Sequence, residues 1–370
     1  MGMPSGQMMP TYGLARRGLD AFRGNETPTE EFQMPVWGTV LIACTLFGFM
    51  LMDLVIQYTF STLIPTLLMV ESPQAILFEP LASEDPDAKL DHKGDAVEPE
   101  LLLVKQQPIT SSFKSTIKHL RARAGEGSYL RGIGMYVVKC FVFDLQISFF
   151  STFLPHILAL PLATILCAPF ALAWTHIVIS NPSPLPWYKR MPNIASIKKV
   201  MPATAIYALA REAVYFFPGC LAISFGLFES KPSNMSPQEL KTMGLQTASV
   251  VILAGVLAFL VLIPAIVTLT RVQASLLAEN EESIVPFDRT FGGRVSEDGV
   301  LGIVDAWRSF DWSSRVRLLT AYFKAAAMDI AVGVFFAMVL LSEVILIIGV
   351  DRKKIILADG FDGQPIHIDF

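Results

Sequence analysis

The sequence predicts an all-helical membrane protein with six transmembrane helices. Two observations carry this. Of 370 residues, 52% are hydrophobic and 17% charged, with mean hydropathy +0.49; a soluble chain of this length carries about a quarter charged residues. The apolar residues also gather in long runs, and ~20 helical residues cross a bilayer. A net charge of −4 gives no reason to expect a nucleic-acid partner. Cys44, Cys140, Cys167 and Cys220 lie far apart within apolar runs, which argues against a zinc site or a disulfide framework.

Residues 1–35 mix Gly, Pro, Met and both charges, lack the apolar core of a secretory signal, and are expected to form a disordered tail. The first span, Pro35 to Val70, is overlong and contains Asp53; a tilt, a bend at Pro65 or an extension past the membrane face accommodates it. An acidic, proline-containing loop over 72–110 is expected to be disordered. Residues 113–123 are basic and amphipathic and read as a surface helix, as do 193–200 and 301–309. Residues 133–179 hold two spans separated near Pro155-His156. A basic connection with Lys189, Arg190, Lys198 and Lys199 leads to a fourth span over 202–228. Ser236-Pro237-Gln238-Glu239 reads as a helix start, with proline in the first turn. It opens the fifth span, which ends in IPAIVTLTRVQAS. A charged loop over 278–311 precedes the sixth span, 316–350, and 351–370 is a polar tail.

Three prolines punctuate the odd-numbered spans: Pro65, Pro169 and Pro264, at intervals of 104 and 95 residues. Arg271 and Gln273 follow Pro264 by seven and nine positions, and Gln74 follows Pro65 by nine. The segment around Ile117 to Tyr136 returns as Ile303 to Tyr322, with Arg131 on Arg317 and Tyr136 on Tyr322. On these residues the chain resembles the mitochondrial carrier family. In that family each of three repeats ends its odd helix in proline, an acid two residues later, a base at five and at seven, and glutamine at nine. Glu126-Gly127 and Arg131-Gly132 are similar to its second motif, with the gap two residues short. The resemblance implies a carrier-like bundle of three pseudo-repeats over 36–155, 156–236 and 237–350. It assigns structural roles to Pro65, Pro169, Pro264, Arg271, Gln273 and Gln74.

The departures are as informative. Leu67, Ala171 and Ile266 stand where the family has acids, and Val70, Trp174 and Leu269 where it has bases. The ion pairs of the family's matrix-side gate are therefore absent.

Ionisable groups within spans cost about 2.5–3.5 kcal/mol each at a helix centre. Those to explain are Asp53, Lys139, Asp144, Arg211, Glu212, Lys324, Asp329 and Glu343. Lys139 lies seven residues after Gly132, where the family places substrate contacts. Aligning Tyr207 with Tyr136 and Tyr322 brings Arg211 and Lys324 to nearly the same depth. The resemblance thus implies that Lys139, Arg211, Glu212 and Lys324 bind a small anionic metabolite, carried across a mitochondrial membrane. The competing reading pairs Lys139 with Asp144 and Lys324 with Asp329, in a carrier-derived adaptor that does not transport. The expected partners are the lipid bilayer and that metabolite. The five histidines make no metal-ligand spacing, and neither a nucleophile elbow nor a phosphate loop is present, so no enzyme activity, metal or cofactor is expected.

Overall fold

A computed structural model describes residues 35–72, 108–229 and 236–359. Gln74, most of the expected N-terminal tail and most of the acidic loop lie outside these residues. Most of the described residues are helical, and none forms a strand. Two isolated bridges, Ser180 with Ser283 and Val295 with Leu301, are the sole β pairings among them.

Helix α1 (Val36–Ile56) continues through a π-helical stretch, Gln57–Leu63, into α2 (Ile64–Val70). After α3 (Phe113–Ala124) come α4 (Ile133–Phe150), α5 (His156–Leu166) and α6 (Ala168–Ile179). Helix α7 (Ile194–Ser224) precedes α8 (Pro237–Leu257), which continues through a second π-helical stretch, Ala258–Leu262, into α9 (Ile263–Ser275). Short α10 (Ile303–Arg308) and long α11 (Trp312–Asp359) complete the order. Five helical stretches are long and apolar enough to cross a membrane, and the α5–α6 pair, bent by 49°, makes a sixth if taken as one span. Only 6–22% of the residues in the five most apolar windows are buried. Their outward faces, such as Phe141, Leu145, Phe323 and Ile330, therefore need an apolar surrounding.

Two sequence boundaries move. Residues 193–200 form no separate surface helix: Asn193 caps α7, which runs through Pro202 into the span. The carbonyl that Pro202 deprives of its helical partner belongs to Lys198, an exposed residue where water can replace the bond. At the other end α11 extends to Asp359, past the expected start of a polar tail at 351.

The chain divides into two compact units. The smaller joins residues up to Phe49 with those from Phe335 onward. Within it Thr45 donates to Glu343, Phe49 and Phe336 meet at 5.2 Å, and Ile347 fills the space beside Gly38, 2.9 Å from where a Cβ would stand. Thr45 thereby partners one oxygen of a carboxylate set in an apolar helix.

The larger unit, Met50–Val334, holds the main core. Each of Pro65, Pro169 and Pro264 is the second residue of a terminal helical piece, α2, α6 or α9. Proline removes one N–H and displaces the carbonyl four residues back. Those carbonyls belong to Ser61 and Leu260, inside the π stretches, and to Ile165, just before the bend at Cys167. All three pieces pack against one another in pairs. Every residue of α2 is buried, as are Val267 to Ala274 of α9.

Polar groups tie this junction. Arg271, 6% exposed, donates to the Met69 carbonyl at 2.8 Å and to Ser309 Oγ at 3.0 Å. Its guanidinium lies over the Phe291 ring at 4.6 Å. Phe291 has φ of 49°, a costly left-handed conformation for a bulky residue, and the preceding turn is held by the Asp288 carboxylate, which accepts from Thr290 N and Gly292 N. Burial pushes the Asp288 carboxyl up, but these bonds outweigh it and hold the group below its ordinary range. At the end of α2, buried Glu71 accepts from Ile109 N (2.6 Å) and Thr110 N (3.2 Å), and pairs with Arg317 at 3.6 Å. Arg131 caps the end of α6, donating to the carbonyls of Ile177 (2.7 Å) and Ser180.

Removing one member of a buried, hydrogen-bonded ion pair leaves the other unpaired, at a cost of about 3 kcal/mol. Glu71→Ala is expected to lower thermal stability by that order in detergent-purified protein, whereas Glu126→Ala, which breaks an exposed pair with Arg121, changes it by less than about 1 kcal/mol.

Candidate functional site

Next to the junction lies a cavity of about 300 Å³. Its lining comes from all three proline-containing stretches, with Thr62 and Thr66, Ala171 and Trp174, and Thr270 and Gln273. The helices that follow them add Tyr136, Tyr207 and Tyr322. The three tyrosines aligned from sequence therefore share one cavity. Among the described residues, Lys139 is the only charged one in the lining.

The surroundings of Lys139 are aromatic. Its ammonium lies 4.5 Å from the centre of the Tyr136 ring and 5.2 Å from that of Trp174. Each such contact contributes about 0.5–2 kcal/mol, which offsets part of the cost of a lysine in a span. Among the described residues no carboxylate lies within ion-pair distance of it, so the Lys139–Asp144 pair of the competing reading does not form. The rings are held in turn. Tyr58, buried, donates to the Arg131 carbonyl and accepts from Trp174 Nε1 at 3.2 Å. It also meets Tyr136 edge-on at 5.0 Å. Trp174 stands where the resemblance calls for a gate base; here its ring holds a base from another helix.

At the junction side, Gln273 is 3% exposed. Its side-chain oxygen accepts from Thr175 Oγ1 at 2.7 Å, and its carbonyl meets His176 Nε2 at 2.9 Å. Its amide nitrogen has no partner.

The other expected contacts do not converge here. Arg211 packs over the Phe143 ring at 4.8 Å and is not part of the lining. Lys324 is exposed, and neither it nor Asp329 forms an ion pair among the described residues. Glu212 is buried with one oxygen unpartnered. The reason is angular. Lys139 follows its tyrosine by three residues, Arg211 by four and Lys324 by two. At about 100° per residue, equal depth then means three different faces. Tyr58 and the hydroxyls were not singled out from sequence, and Trp174 only as a missing gate base, because aromatic and Thr residues in an apolar run carry no signal of their own. Of the described residues, no group of His, Cys, Asp and Glu is arranged to hold a metal ion.

Replacing Tyr58 by Phe strands both the Trp174 N–H and the Arg131 carbonyl. An unsatisfied buried group costs about 1–3 kcal/mol, so Tyr58→Phe is expected to lower the unfolding temperature and shift the indole emission of the folded protein.

No family model matches the chain, and no curated protein or solved structure matches it.

Proposed function

We propose that the protein is a membrane carrier of a small organic anion, built as three pseudo-repeats in the manner of the mitochondrial carriers it resembles and residing in a mitochondrial membrane. The observation that carries this reading is Lys139: a lysine without an acid partner, stacked on two rings, in a cavity where three helix pairs meet. A cation inside a membrane protein pairs with an acid or with backbone carbonyls, as Arg131 and Arg271 do with carbonyls here, or faces a cavity and marks a ligand path. Among the described residues Lys139 has neither kind of partner and lines a cavity. The repeat assignment draws support from three relations. The proline-started pieces α2, α6 and α9 pack in pairs. Tyr136, Tyr207 and Tyr322 line the same space. Arg131 and Arg317, aligned with each other, each bind at the end of the proline-started piece of the next repeat around the ring: Arg131 at α6, Arg317 at α2 through Glu71.

One observation favours the second reading, a carrier-derived adaptor that does not transport. Val70, Trp174 and Leu269, at gate positions, are buried, and among the described residues no ion pair is present there to break and reform.

Uptake by the purified protein in liposomes separates the two. Lys139→Gln is expected to reduce anion uptake by at least about tenfold, the loss of one charge-assisted contact, while insertion and thermal stability are kept. Lys324→Gln is expected to leave uptake unchanged. Equal uptake by Lys139→Gln and parent protein removes Lys139 from the binding site; no uptake by the parent for any anion favours the adaptor.

A further inference from the structure

We propose that the Lys139 cavity takes a small monocarboxylate with one further acceptor oxygen, an oxo or hydroxy acid, its carboxylate at Lys139 and its second oxygen at the free amide of Gln273. This rests on the anion-carrier reading and narrows it.

Charge sets the first limit. Lys139 is the only lysine, arginine or carboxylate side chain among the described residues of the lining, so the site neutralises one negative charge. Arg211 turns to Phe143, outside the cavity. A second carboxylate drawn into this space is desolvated without a counter-charge, which is strongly unfavourable. Volume sets the second limit. About 300 Å³ is the lower end of the range for small-molecule sites, too small for a nucleotide and ample for a short acid.

Gln273 supplies the third feature. Its amide nitrogen is buried and unpartnered, and the residue lines the cavity. The amide is held in place by Thr175 on its oxygen and by His176 on its backbone carbonyl. A donor fixed in that way and left unpaired is costly to the empty protein, and an acceptor oxygen from a ligand removes the cost. The carboxylate's preferred position is against the ammonium, on the side turned away from the Tyr136 and Trp174 ring faces, which attract the cation and repel an anion. Tyr136, Tyr207 and Ile266 also line the cavity and suit a short apolar chain.

The test uses the full chain in liposomes, with competition against labelled pyruvate by unlabelled acids matched in chain length: pyruvate and lactate, which carry the second oxygen, propionate, which lacks it, and malonate, which replaces it with a second charge. One hydrogen bond to a fixed donor corresponds to about a tenfold preference. Pyruvate and lactate are expected to compete about tenfold better than propionate, and malonate no better than propionate. Gln273→Met is expected to erase the difference by weakening pyruvate and lactate while leaving propionate unchanged. Should that variant fold poorly, the series on the parent protein still decides. Equal competition by pyruvate and propionate, or strongest competition by malonate, overturns the assignment. If Lys139-dependent uptake persists in that case, the anion-carrier reading stands without it. Absence of uptake for every acid overturns both.

Discussion

The structure of the larger unit depends on the packing of three proline-started helical ends. A proline in a continuous helix interrupts one bond and forces the preceding turn aside. Here the disturbance is absorbed by π-helical stretches before Pro65 and Pro264 and by a 49° bend before Pro169. Beyond each proline the helix continues as a short, redirected piece, and the three pieces bury one another. Helices long enough to cross a membrane make few contacts along their outer lengths; the junction is where the unit acquires a core.

This closure is apolar where the resembled family is ionic, and the difference has a physical consequence. Exposed ion pairs contribute little and exchange readily with water. Opening a packed apolar junction means exposing Leu67, Val267, Leu269 and their neighbours, at about 25 cal/mol for each Å² uncovered. Arg271 adds to the cost, since its guanidinium serves a carbonyl, a hydroxyl and an aromatic face at once. A carrier built this way needs its ligand to repay more of the opening step, which fits a site holding an unpaired cation and an unpaired amide.

Much of the fold was legible in the sequence. The apolar runs located the spans, and Ser236-Pro237-Gln238-Glu239 marked the start of α8 with a capping box that the structure contains. Each of the three spaced prolines marked a break in its helix. The site was legible in part. The tyrosine alignment found the cavity, and the count from Gly132 found Lys139. The same alignment gave depth without direction, so Arg211 and Lys324 were expected where they do not point. Gln273 was assigned a structural role from its offset; it bonds to Thr175 and His176, whereas the free half of its amide needed the structure. Glu71, which joins α2 to Thr110 and Arg317, gave no sequence signal because its partners lie 38 or more residues away.

The central claim is that Lys139 lines a cavity beside a tightly packed junction of three helical ends; if the proposed carrier reading holds, that cavity is reached from one membrane face. Thiol labelling tests this most directly. In protein whose four native cysteines are replaced, Thr62→Cys places one thiol on the cavity wall and Val272→Cys places one inside the junction. With a membrane-impermeant reagent applied separately to each face of sealed vesicles, the account predicts that Thr62→Cys is labelled from one face only and Val272→Cys from neither. Labelling of Thr62→Cys from both faces, or rapid labelling of Val272→Cys, contradicts it.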